Sequence, residues 1–338
     1  MKQINCRIEN STGRITLTRP KSLNALSYEM CHEIESALIR WIEEDQVTQV
    51  IIDGEGEKAF CAGGDIAKIY YKAIEGDVEY AKRFWKDEYR LNKLIANYPK
   101  PYIAFLHGYT MGGGVGIACH GSFRIVCENS KISMPECGIG LIPDVGGTFL
   151  LSQTPGFIGE YLGTTGTRML ADDSIELGFA DFFIEQEKWN RVKSLLIESG
   201  KPDCISKFAV TRYKNKDSIL DNIDKINKCF LLEDPHKIIS ELSQDSSEWS
   251  NRILNIFRRN SPISIACTIK IIREVRKNPS IEKALEYEYR FTSRSLEKAD
   301  FIEGIRSLII DKDHKPKWKH KNFSDIKKIE IERLLEVL

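Results

Sequence analysis

The sequence predicts an α/β fold: repeated strand–turn–helix units, which a spiral would fit, followed by a helical C-terminal region. Three observations predict it. Short apolar runs bounded by turn residues recur up to about residue 185. Within that stretch the order strand, turn, Gly-rich loop, helix occurs at least twice. Beyond it, long charged helical patterns take over.

Each element has its own signal. Residues 4–8 and 14–18 alternate apolar and polar side chains around Ser11-Thr12-Gly13, so they read as paired strands joined by a turn there. Arg19-Pro20 ends the second strand. Over 28–44, Met30, Ile34, Ala37, Leu38, Trp41 and Ile42 recur at helical spacing, with Ser27 as N-cap. Val50-Ile51-Ile52 is a short buried strand closed by Asp53-Gly54. A helix over 78–96 is broken by Pro99 and Pro101, and Tyr102–Leu106 is the next strand. Gly112-Gly113-Gly114 reads as a loop that opens onto a helical segment at Ile117-Ala118-Cys119. Strands follow at 124–127 and 131–134. Helices are expected at 188–199, 217–230 and 236–243. Ser261-Pro262 is a cap with proline at the first helical position, opening a helix to about Lys277, and Ser280 caps another over 281–297. The expected division is a spiral core over 1–195 and a mostly helical region over 196–338 that packs on it.

Composition excludes several function classes. Lys+Arg and Asp+Glu each total 49, so no global basic field attracts nucleic acid or an anionic membrane. The nine cysteines are scattered without CxxC pairs, which argues against a disulfide framework or a structural zinc. No apolar run approaches the ~20 residues of a membrane span. The start, MKQINCRIEN, reads as neither a secretory signal nor an amphipathic presequence. A cytoplasmic protein with reduced thiols is expected.

Three segments hold candidate chemistry. In Phe60-Cys61-Ala62-Gly63-Gly64-Asp65-Ile66 the small residues let the backbone approach a ligand and point an amide outward; the alternative is a strand-to-helix turn with Asp65 as a cap. In the run 107–116, three glycines between a strand and a helix leave N–H groups free at a positive helix end. No GlyLysSer/Thr follows, so this is not a phosphate loop, and the setting does not suit a dinucleotide. A carbonyl-oxygen site and tight helix–strand packing both remain open. In the third segment, Glu136 and Asp144 lie eight residues apart in an apolar, Gly- and Pro-punctuated loop. Carboxylates in such surroundings are desolvated and their pKa rises, which suits general acid–base or nucleophilic work. The alternative is that both only cap turns.

Taken in order, Ala62-Gly63-Gly64-Asp65, Met111–Gly114 and 135–147 resemble the crotonase (enoyl-CoA hydratase/isomerase) superfamily. The resemblance implies a crotonase-type spiral of ββα units that binds a CoA thioester. It also implies an oxyanion hole made by the backbone N–H groups of Gly64 and Gly113. Within the superfamily the chain is most similar to the 3-hydroxyisobutyryl-CoA hydrolases, over nearly its whole length. Asp87–Asn92 resembles their substrate-contacting helix and implicates Glu88; 142–147 carries their aspartate, Asp144; and 300–318 resembles their C-terminal signature. Hydratases use two glutamates. One matches Glu136, whereas the other falls at Gly116, which has no side chain. The resemblance therefore implies thioester hydrolysis with Glu136 and Asp144 as catalytic carboxylates, and Glu88, Ala62, Asp65, Ile66 and Gly112 around the substrate. It implies no metal and no cofactor beyond the coenzyme A of the substrate. Trimeric or hexameric relatives leave homo-oligomerisation open. The alternatives are an enoyl-CoA hydratase or a non-catalytic acyl-CoA-binding protein.

Overall fold

Strand runs that are apolar throughout, such as Val50-Ile51-Ile52 and Tyr102–Leu106, belong in a parallel sheet covered on both faces, and that is where they lie. A computed structural model of the chain describes residues 2–210 and 217–338. By its contacts the chain divides into two compact units, each assembled from three stretches. The first holds Met1–Asp65, Asp87–Ser133 and Arg168–Asp221; the second holds Ile66–Lys86, Met134–Thr167 and Asn222–Leu338.

Among the described residues there are nine strands, all in the first unit: β1 (Ile4–Glu9), β2 (Thr12–Leu17), β3 (Gln49–Gly54), β4 (Ala59–Cys61), β5 (Tyr102–Leu106), β6 (Tyr109–Met111), β7 (Phe123–Val126), β8 (Lys131–Ser133) and β9 (Phe182–Phe183). Six form one sheet in the order β1-β2-β3-β5-β7-β9, and three form another in the order β4-β6-β8. Only β1 and β2 pair antiparallel; the remaining pairs are parallel. Successive strands alternate between the sheets (β3 then β4, β5 then β6, β7 then β8), which is the repeated spiral step that the sequence rhythm predicts. Ile51, Ile103, Phe105 and Ile125 of the larger sheet pack with Trp189, Val192 and Leu196 of the helix Trp189–Ser199 in one buried cluster.

Two local expectations change. Glu9 pairs directly with Thr12, so the hairpin turns at Asn10-Ser11, with Asn10 at φ 51°. Gly13 lies within β2, where a Cβ would stand 2.6 Å from the Trp41 ring. The second change concerns the triple glycine. The helix there is Gly113–Gly116, earlier than the expected 117–119. Glycine is a poor helix former, but a Cβ on Gly114 would lie 2.3 Å from the Cys61 carbonyl oxygen. Close approach to β4 overrides propensity.

The second unit has no strand among its described residues. Its centre is the helix Pro262–Arg276, buried on nearly every turn and capped by Ser261, whose hydroxyl accepts from Ser264 N. It packs with Gly147–Gln153 and Ile158–Thr165. Glu160, with no exposed surface, is held there by two 2.6 Å bonds from Arg276. The helix Ile281–Lys298 is capped by Ser280, as the sequence predicts.

Candidate functional site

The structure places Ala62, Gly64, Asp65, Glu88, Gly112 and Gly113 in the first unit, and Glu136, Asp144 and Ile66 in the second.

The first group is an amide pair with a carboxylate. β4 ends at Cys61, and Ala62 N donates to Leu23 O at 3.0 Å. Gly64 makes a parallel bridge with Leu26, in which Leu26 N donates to Gly63 O and Asp65 N donates to Leu26 O. In such a bridge the middle residue's own N–H faces the other side, so the Gly64 amide points away from Leu26. Gly113 opens its helix, so its N–H has no carbonyl one turn back. Gly112, at φ 48° and ψ −120°, turns the chain into that helix in a conformation that only glycine adopts readily. The two amides are close: a Cβ on Gly113 would stand 3.4 Å from Gly64 N and 2.9 Å from Glu88 Oε1. Glu88 lies on the helix Val78–Ala96 and is 3% exposed. Asp65 pairs with Arg19 at 2.9 Å, and helix Ile66–Ile74 begins at the next residue. Neither the Gly64 nor the Gly113 N–H is used by the bridge or the helix that holds it, and backbone donors left available in this way can serve an oxygen that gains negative charge. Cys61 is no nucleophile: burial pushes its thiol up to about 12.

The second group is the carboxylates. Glu136 opens a short 3-10 turn, Glu136–Ile139, that ends at Gly140. Gly140 has φ 73°, and a Cβ there would lie 2.5 Å from the Asp300 carbonyl. Asp144 begins a turn closed by Gly147 N donating to Asp144 O at 2.7 Å. Two residues of that turn, Val145 and Gly146, have positive φ. Glu136 and Asp144 are each 5% exposed. Glu136 Oε2 has no hydrogen-bond partner among the described residues. Burial holds the Glu136 carboxyl well above the usual range, and the nearby charge of Asp144 adds to the shift. A carboxyl with its pKa raised in this way is suited to general acid–base work.

Sequence reasoning missed Glu288. This glutamate, with no exposed surface, sits on helix Ile281–Lys298 and binds the Asp144 turn: it accepts from Gly146 N (2.8 Å), Thr148 N (3.0 Å) and the Thr148 hydroxyl (2.5 Å). Its signal was present. Leu285, Glu288 and Phe291 share one apolar helix face, and an acid within such a stripe marks a partner.

The enoyl-CoA hydratase/isomerase family model matches residues 12–335. The chain belongs to that family. Its fold is the crotonase fold. It is 37% identical over 324 residues to the human mitochondrial 3-hydroxyisobutyryl-CoA hydrolase, covering 93% of this chain and 83% of that protein. A probable 3-hydroxyisobutyryl-CoA hydrolase of Arabidopsis thaliana is 33% identical over 342 residues, covering 97% and 90%. Among solved structures, an enoyl-CoA hydratase from Rhodobacter sphaeroides superposes with TM-score 0.94 at 42% identity, covering 100% of this chain and 98% of that one. A carnitinyl-CoA dehydratase from Mycobacterium thermoresistibile gives 0.93 at 34%, covering 100% and 97%. One expectation is corrected. The animal relatives are mitochondrial hydrolases by name, so the cytoplasmic assignment is withdrawn. It rested on the absence of a recognisable presequence in the first residues, and compartment is not encoded in a folded core.

Proposed function

We propose that the chain hydrolyses short-chain 3-hydroxyacyl-CoA thioesters, with 3-hydroxyisobutyryl-CoA, a valine-breakdown intermediate, as its substrate. The observation that carries this is the carboxylate set. Gly116, inside the Gly113–Gly116 helix, supplies no side chain where a hydratase needs its second glutamate, while the buried pair Glu136 and Asp144 suits acyl transfer. The names of relatives that align over nine-tenths of the chain agree with it.

In this reading the thioester oxygen binds the Gly64 and Gly113 amides. Attack at the carbonyl carbon moves charge onto that oxygen, and each donor is worth about 3–4 kcal/mol in the transition state. Glu136 either attacks to form an anhydride that water then opens, or removes a proton from the attacking water. Asp144 orients the water or the acyl 3-hydroxyl, and Glu88 binds that hydroxyl. The C–S bond breaks, the sulfur takes a proton, and 3-hydroxyisobutyrate and coenzyme A leave. No metal or further cofactor enters.

Thiol release from 3-hydroxyisobutyryl-CoA, followed with a thiol reagent, tests it. Wild type is expected to turn over, and Glu136→Gln to lose at least a hundredfold in kcat. Wild-type turnover by that variant would remove Glu136 from the chemistry. A second reading, hydration of an enoyl-CoA, is favoured by the name of the Rhodobacter sphaeroides neighbour. Loss of the enoyl absorbance without thiol release would establish it instead.

A further inference from the structure

We infer that Glu288 is a positioning residue for the reaction: it holds the strained turn at 144–148 and thereby sets the Asp144 carboxylate. The inference rests on the role proposed for Asp144. Val145 has φ 55°, a conformation that a β-branched residue rarely adopts, and Gly146 follows at φ 77°. Left to itself, such a turn relaxes. Glu288 opposes this by taking hydrogen bonds from Gly146 N with one oxygen and from Thr148 N and the Thr148 hydroxyl with the other. These bonds grip the turn just after Asp144, and the Gly147 N–H bond to the Asp144 carbonyl closes it from within.

The choice of residue supports a role beyond packing. Glu288 has no exposed surface, and its neighbours on the same helix face include Leu285 and Phe291. Burying a carboxylate there is costly unless every lone pair is used. Burial and the charge of Asp144 push Glu288 up to about 8, against its three hydrogen bonds. A glutamine would place an NH2 group against one of the backbone donors, whereas both oxygens of a carboxyl group can accept.

The test compares Glu288→Gln, Asp144→Asn and the double variant of the full chain, with thiol release from 3-hydroxyisobutyryl-CoA as the assay and thermal unfolding as a check on folding. Expected are a 10- to 100-fold fall in kcat for Glu288→Gln with KM within threefold of wild type, and a larger fall for Asp144→Asn. The double variant should lie within threefold of Asp144→Asn, because both changes act through one group. Thr148→Val, which removes only the hydroxyl bond, should lose 3- to 10-fold in kcat by the same route, and it carries the test if Glu288→Gln does not fold. The inference is overturned if Asp144→Asn collapses while Glu288→Gln and Thr148→Val keep wild-type kcat, or if the losses multiply. An Asp144→Asn variant with wild-type kcat would instead strike down the role of Asp144 itself, and this inference with it; the single variant tells the two failures apart.

Discussion

Replacing Gly113 with alanine puts one methyl group beside the amides to which the proposed mechanism binds the thioester oxygen. The new Cβ would stand 3.4 Å from Gly64 N, 2.9 Å from Glu88 Oε1 and 3.5 Å from Leu26 Cδ2. Gly113 does not have a positive φ, so alanine is conformationally allowed. In a helix alanine gains up to about 1 kcal/mol over glycine, and this offsets the push against the end of the Glu88 side chain. Stability should therefore change by less than about 1 kcal/mol, a Tm shift of a few degrees. Activity should not survive. A methyl group 3.4 Å from Gly64 N crowds an oxygen bound at that amide, so one donor is expected to be lost, and kcat to fall by about 10²–10³. Gly114 is the internal control. Its Cβ would meet the Cys61 backbone oxygen at 2.3 Å, a contact with main chain that cannot swing aside. Gly114→Ala should lower Tm sharply, whereas Gly113→Ala leaves Tm and removes turnover. Thiol release and thermal unfolding measure both. A folded Gly113→Ala variant with kcat within threefold of wild type would refute the oxyanion-hole assignment.

Other outcomes follow from the same structure. Glu136→Gln should be more stable than wild type at pH 7–8. The folded carboxyl is held above its unfolded pKa, so wild type loses stability as pH rises from about 4.5 towards the folded value. The gain should shrink to nothing near pH 4, and denaturant midpoints across pH would show it; a gain that persisted at pH 4 would exclude this cause. Asp144→Asn should cut kcat far more than it weakens binding of a non-hydrolysable CoA thioether, read by calorimetry; equal losses would mean a structural role. Gly140→Ala forces alanine to φ 73° against the Asp300 carbonyl and should lower the denaturant midpoint strongly. Arg276→Ala leaves Glu160 buried with its two strongest hydrogen bonds gone and should cost about 3 kcal/mol in the same measurement.

Much of this protein is written locally. The apolar runs Val50-Ile51-Ile52 and Tyr102–Leu106 read as short strands from their own composition, and both lie in the buried parallel part of the larger sheet. Ser27, Ser261 and Ser280 announce helix starts, and each side chain accepts from the third residue on. The order of the three small-residue and loop motifs carried the family, because glycine is needed wherever a backbone must approach another atom closely. Gly64, Gly113, Glu136 and Asp144 were therefore visible as candidates before any coordinates.

What the chain order could not carry was nearness between residues far apart in sequence. Nothing around position 113 says that Glu88 lies beside it, or that Gly114 must yield to the Cys61 carbonyl and so start the helix early. Nothing near Asp144 names Glu288, which lies 144 positions further on; its apolar helix face signals a buried partner but not which one. The strain at Val145 is likewise invisible, since valine gives no sign of a positive φ. Periodicity, caps and glycines report each segment's own preferences over a few residues. Burial and hydrogen-bond partners are set by which segments meet, and only the tertiary structure decides that.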